Sequence, residues 1–149
     1  RLFSLDLLYQ SRHKLHFKSQ TMALKKGLTF FISFVWLVNG LLCKVLNLVP
    51  RHEQIVAAIL GEEYSRPLTL LIGIAEIIMA IWVLSGFKSK IHASIQILVV
   101  ATMNTLEFIL VPDLLFWGKF NALFAILFIF MVYTTEFVID KRLDHQKLT

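Results

Sequence analysis

An all-α, four-helix transmembrane bundle with a short amphipathic helix between its first two spans is the fold that this sequence predicts. Three observations predict it. Of 149 residues, 57% are hydrophobic and only 17% charged, with a mean hydropathy of +0.71; soluble domains average roughly 45–50% and about 25%. Four apolar stretches each reach the roughly 20 helical residues that cross a bilayer core about 30 Å thick. Short polar joints separate three of them, which implies antiparallel neighbours.

The spans are Leu28 to Leu48, Pro67 to Phe87, Ile91 to Val111, and about Phe120 to Ile139. The buried helices of a soluble bundle would carry a polar outer stripe, yet Leu123 to Tyr133 (LFAILFIFMVY) is apolar all round. Gly86, Lys88, Ser89 and Lys90 form the turn between spans two and three. Pro112, Asp113 and Gly118 mark the joint between spans three and four. The first joint is longer. There Pro50 suits the first turn of a short helix and Gly61 its end. Ile55, Val56, Ile59 and Leu60 share one face of that segment, as expected for a helix lying on the membrane or folded over the bundle.

Lys and Arg near the span ends set orientation. Lys25, Lys26, Lys88, Lys90, Lys141, Arg142 and Lys147 fall on one side, against Arg51, Arg66 and Lys119 on the other. This predicts a multi-pass protein of a bacterial inner membrane with both termini cytoplasmic. Residues 1–21 carry charges throughout and lack the apolar core of a signal peptide. Met22-Ala-Leu-Lys-Lys has the form of an inner-membrane start. Residues 1–21 are therefore expected to be a non-native or disordered leader, residues 22–140 the membrane domain, and residues 141–149 a cytoplasmic tail. Trp82 and Trp117 fall near opposite membrane surfaces, as an interfacial belt requires.

Several function classes are excluded. The single cysteine, Cys43, rules out an internal disulfide, a CxxC relay and a multi-cysteine zinc site. The net charge of +5 comes with no phosphate loop and no zinc-finger spacing, so nucleic acid is not an expected partner. The expected partner is the lipid bilayer.

Chemistry is concentrated in polar groups inside the spans, each costing about +2.5 to +3.5 kcal/mol near the centre. Lys44 and Glu107 each lie 16 residues from the inner end of their span, roughly 24 Å deep. Asn39 and Glu76 lie 11 residues from theirs, and Asn104 lies 13. Asn39, Lys44, Glu76, Asn104 and Glu107 are thus expected to converge as a ligand-binding or proton site. Gln96, Asn104 and Glu107 share one face of span three, Trp36 is deep enough to line a pocket, and Asn121 and Glu136 mark the two ends of span four. One cation between two acids can neutralise either Glu76 or Glu107, leaving the other carboxyl protonated. The same groups can also simply fix helix register.

The strings FVWLVNGLLCKVL (Phe34 to Leu46), PRHEQIV (Pro50 to Val56), GIAEIIMAIWVLSG (Gly73 to Gly86), MNTLEFILVPDLLFWGKFNALFA (Met103 to Ala125) and VYTTEF (Val132 to Phe137) resemble the DoxX-like family of small bacterial four-helix membrane proteins. The resemblance covers most of Met22 to Asp140 and implies the four-helix membrane fold. The wider family is named for a membrane subunit of a thiosulfate:quinone oxidoreductase, so it also implies an oxidoreductase partner. It carries no catalytic residue across, and a thiol relay would need a cysteine pair that this chain lacks.

The expectation is a redox-associated membrane subunit binding a quinone-like or other amphipathic small molecule. Lys44 and Asn39 would hold a polar oxygen, Glu107 would set the charge of Lys44, and Glu76 would exchange protons. The sequence shows no complete catalytic motif and no redox centre, so electrons would come from a bound cofactor or a partner. The alternative is a non-enzymatic transport or assembly factor, working as a homo-oligomer, whose polar cluster is structural.

Overall fold

A computed structural model of the chain describes residues 2–115 and 118–148. No strand occurs among them, and four helices are long and apolar enough to cross a membrane. Helix α1 (Leu2–Leu37) continues as a π-helical segment, Val38–Val45. The surface helix α2 is Arg51–Leu60, followed by α3 (Ser65–Ser85) and α4 (Ser89–Leu110). Two 3₁₀ turns, Pro112–Leu114 and Gly118–Phe120, lead into α5 (Asn121–Tyr133). A second π-helical segment, Thr134–Ile139, joins α5 to α6 (Asp140–Leu148).

The element boundaries have local causes. The first span ends at Val45 because Asn47 turns to a φ of 52° and Pro50 follows it. Pro67 sits in the first turn of α3, where a missing N–H removes no intrahelical bond. Gly61 ends α2 at a φ of 100°, a conformation open essentially to glycine. α1 runs unbroken from Leu2 through Met22 into the first span. Trp117 lies outside the described residues, as do the side chains of Lys119 and Lys147.

Helix α1 packs along α3, and α4 packs along α5; thinner contacts between α3 and α4 and between α1 and α5 close the ring. The core lies at the level of Ile32, Trp36, Ala80, Val83, Ala93 and Val132. Outward-facing Phe30, Phe34, Ile81, Ile109 and Phe130 are exposed, as lipid-facing residues are. Lys25 of α1 bonds Asp140 and lies 3.6 Å from the buried carboxylate of Glu136, so both ends of the chain leave the same face. We refer to it as the terminal face; α2 lies at the opposite one.

The tightest contact in the bundle is between Gly40 and Gly73. A Cβ on Gly40 would stand 2.5 Å from the Gly73 carbonyl oxygen, and one on Gly73 would stand 2.9 Å from that of Gly40. Small residues let membrane helices approach this closely, where dispersion and not hydrophobic exclusion holds them. Gly40→Val is therefore expected to cost at least about 2 kcal/mol, as overpacking does, measured by unfolding in detergent. Gly27→Ala, which meets nothing within 4 Å, is the matched control and is expected to leave stability unchanged.

Candidate functional site

The glycine contact decides where Lys44 goes. Around and beyond Gly40 the chain is π-helical, with i→i+5 bonds such as Leu46 N–H to Leu41 O at 2.9 Å, a geometry that recurs at functional sites. It turns Lys44, one turn beyond Gly40, inward onto α3 beside Gly73. The amine donates to both carboxylate oxygens of Glu76, at 2.9 and 2.8 Å, with the two side chains only 9% and 16% exposed. The sequence left either acid open as partner and favoured Glu107. The structure corrects this: Glu76 holds the amine, and among the described residues Glu107 forms no ion pair with it.

The end of the π-helical segment is held from outside. Arg66, at the start of α3, donates to the carbonyl oxygens of Lys44 (2.8 Å) and Val45 (2.9 Å), which have no helical partner. Its guanidinium lies 3.8 Å from Glu53 of α2, and Glu53 accepts a bond from Asn47 at 3.1 Å. Arg66 thus ties span one, span two and α2 together. In the sequence it registered only as a charge near a span end.

These contacts enclose a cavity of about 530 Å³ at the centre of the bundle, towards the face that carries α2. Asn39, Lys44, Glu76, Asn104 and Glu107 all line it, so the five residues do meet. Glu107 lies within electrostatic reach of both Lys44 and Glu76. Asn104 accepts a bond from the Asn121 amide at 3.1 Å, coupling α4 to α5. Below this polar end the walls become apolar: Trp36, Val100, Met103, Phe128 and Met131. Phe31 of α1 and Phe124 and Leu127 of α5 line the cavity yet are exposed, so it opens sideways between α1 and α5.

Two features escaped the sequence reading. His52 of α2 lines the cavity and caps its polar end. Burial pushes its pKa down to about 4, and the charges of Lys44 and Arg51 add to that. The second feature is a buried relay of hydrogen bonds: Trp36 Nε1 donates to Gln96 Oε1 at 2.7 Å, and Gln96 Nε2 meets His92 Nδ1 at 3.0 Å. Trp36 also stands edge-on to Phe128, with ring centroids 6.1 Å apart. Only the helical spacing of His92 and Gln96, four residues apart, signals this in the sequence.

Removing one member of a buried ion pair typically costs about 3–5 kcal/mol, whereas replacing both is often neutral. Lys44→Met is expected to destabilise in that range, and Lys44→Met with Glu76→Leu to recover most of the loss, read by unfolding in detergent. His52 gives a pH dependence. Its folded pKa is depressed, so the unfolded state binds more protons between about 4 and 6.5, and stability falls as pH drops through that window. Amide protection factors in α2, which take out the slowing of intrinsic exchange at low pH, should fall on acidification from pH 6.5 to 4, and less so in His52→Gln.

The model of the DoxX-like family matches residues 33–134, which includes every residue named at the cavity's polar end. Comparison with curated proteins and with solved structures gave no match. The matched segment runs from the first span through the start of the second π-helical segment and makes up more than half of the chain, so this protein is a member of the DoxX-like family and a multi-pass membrane protein.

Proposed function

We propose that the chain is a redox-associated membrane subunit that binds a quinone-like amphipathic molecule in the central cavity. The observation that carries this reading is the polarity gradient of the cavity: donors and acids gather at one end, and aromatic and aliphatic walls occupy the other. A volume of about 530 Å³ falls within the range of small-molecule pockets. The sideways opening between α1 and α5 admits a lipid-soluble ligand without a passage through water.

The donor set suits a carbonyl oxygen. Lys44 has three N–H groups and spends two on Glu76, which leaves one to point at a ligand. Asn104 receives a bond on its oxygen from Asn121, so its amide protons stay available. Asn39 supplies a further amide. A quinone, when bound, accepts two electrons and two protons. The electrons come from a partner oxidoreductase in this reading; Glu107, which the ion pair does not engage, gives one proton to the ligand oxygen at the polar end, and water supplies the proton of the second oxygen when the ligand leaves the cavity. The earlier assignment of that role to Glu76 is set aside because Glu76 is committed to Lys44. In the same reading the protein lies in a bacterial inner membrane with its terminal face towards the cytoplasm.

Titration of purified protein in detergent with a short-chain quinone tests the proposal. Asn39→Leu and Glu107→Ala are each expected to weaken binding at least about tenfold, equivalent to about 1.4 kcal/mol, with the fold retained. The Lys44→Met, Glu76→Leu double variant is expected to lose binding while remaining stable. Unaltered quinone binding across these variants would overturn the proposal. It would leave the polar cluster as an interhelical clamp in a transport or assembly factor.

A further inference from the structure

A second cavity, of about 620 Å³, lies at the terminal face, away from the polar end of the central cavity and sharing no lining residue with it. Phe17 of α1 lines one wall; Tyr133, Phe137, Val138, Lys141, Arg142 and His145 line the other. Four of these residues recur at intervals of four: Tyr133, Phe137, Lys141, His145. At helical spacing they form one stripe that changes from aromatic to basic. Tyr133 and Phe137 stack with ring centroids 5.2 Å apart, making a continuous aromatic surface.

Depth explains the order. The Lys25–Asp140 contact joins α1 and α6 just outside the apolar stretches that begin at Leu28 and end at Ile139, which sets it at the expected membrane boundary. From Asp140, Tyr133 lies seven residues inward, about 10 Å, and His145 five residues outward, about 8 Å. Headgroup regions add roughly 5–8 Å on each side of the hydrocarbon, so the stripe places its rings among acyl chains and its cations among headgroups. Phe17 lies eight residues before Lys25 on the antiparallel neighbour and closes the outer end.

Basic side chains line the outer end of the groove, Lys141, Arg142 and His145, and no acid is among its lining residues. Asp140 would repel an anion, but it is engaged by Lys25. Lys141 and Arg142 are exposed at the rim. Basic pockets at the edges of transmembrane helices hold anionic headgroups. We propose that this groove is a binding site for an anionic phospholipid, with its phosphate on Lys141 and Arg142 and its acyl chains against Tyr133 and Phe137.

Native mass spectrometry of the full chain in detergent, with phosphatidylglycerol and phosphatidylcholine of matched acyl chains, tests this. Phosphatidylglycerol is expected to be retained at least about tenfold better. Lys141→Gln with Arg142→Gln, at exposed positions that leave the fold intact, is expected to abolish the preference. Lys88→Gln with Lys90→Gln removes equal charge from the α3–α4 joint on the same face and is expected to leave it unchanged. Equal retention of the two lipids, an equal loss in both double variants, or inorganic phosphate binding as tightly as the lipid would each overturn the assignment.

Discussion

The backbone contact between Gly40 and Gly73 sets the geometry on which the rest of the bundle depends. Lipid provides no solvent for Lys44 or Glu76, so each needs the other within bonding distance. Two long side chains could meet across helices held apart, but at the cost of ordering many rotors. With Gly40 against Gly73 the helices are near enough that the Lys44 Cβ already lies 2.9 Å from where a Gly73 Cβ would be. The ion pair then forms between short reaches, and Arg66 bonds the carbonyls of Lys44 and Val45 from above. A side chain at Gly73 would press on Lys44 and Val45 together, so the ion pair and the packing beside it depend on the same small residues.

The cavity follows from the pairing of helices. Because α1 is drawn tightly to α3, and α4 lies along α5, the two pairs are left with thinner contacts between them. The space between the pairs is filled by large side chains near the core level of Trp36 and Val132, and is left open nearer α2. Polar groups face that opening because the alternative is lipid. The same desolvation cost that forces Lys44 onto Glu76 also forces Asn104 onto Asn121. Satisfying register and lining a cavity are thus two results of one constraint.

How much of this was legible in the sequence depends on what each residue needs to know. The four spans and α2 were readable because length, hydropathy and the Pro50 and Gly61 boundaries are local properties. Depth was readable too, since rise per residue is nearly constant in a helix, and it brought Asn39, Lys44, Glu76, Asn104 and Glu107 to one level. The choice between Glu76 and Glu107 was not readable, because it depends on the rotation of span one. The π-helical segment Val38–Val45 changes that rotation, and no residue in VNGLLCKV announces it. The contacts of Arg66 and the place of His52 were not readable for a related reason: both depend on α2 folding back over the bundle, a tertiary contact between Arg66 and Glu53.

The hydrogen-bond direction at Gln96 links the cavity wall to the terminal face. An indole N–H can only donate, so Gln96 must use its oxygen for Trp36. Its amide nitrogen is then the donor towards His92 Nδ1, and His92 must accept there, which places the ring proton on Nε2. The His92 ring, almost fully buried, stands edge-on to Trp82, with centroids 5.9 Å apart. Trp82 donates in turn to the Phe87 carbonyl at the α3–α4 joint. Each hydrogen-bond direction from Trp36 to His92 is forced by the one before it, and the ring contact carries the packing on to Trp82. One wall of the cavity is thereby continuous with buried groups that reach the turn at the opposite end of the bundle.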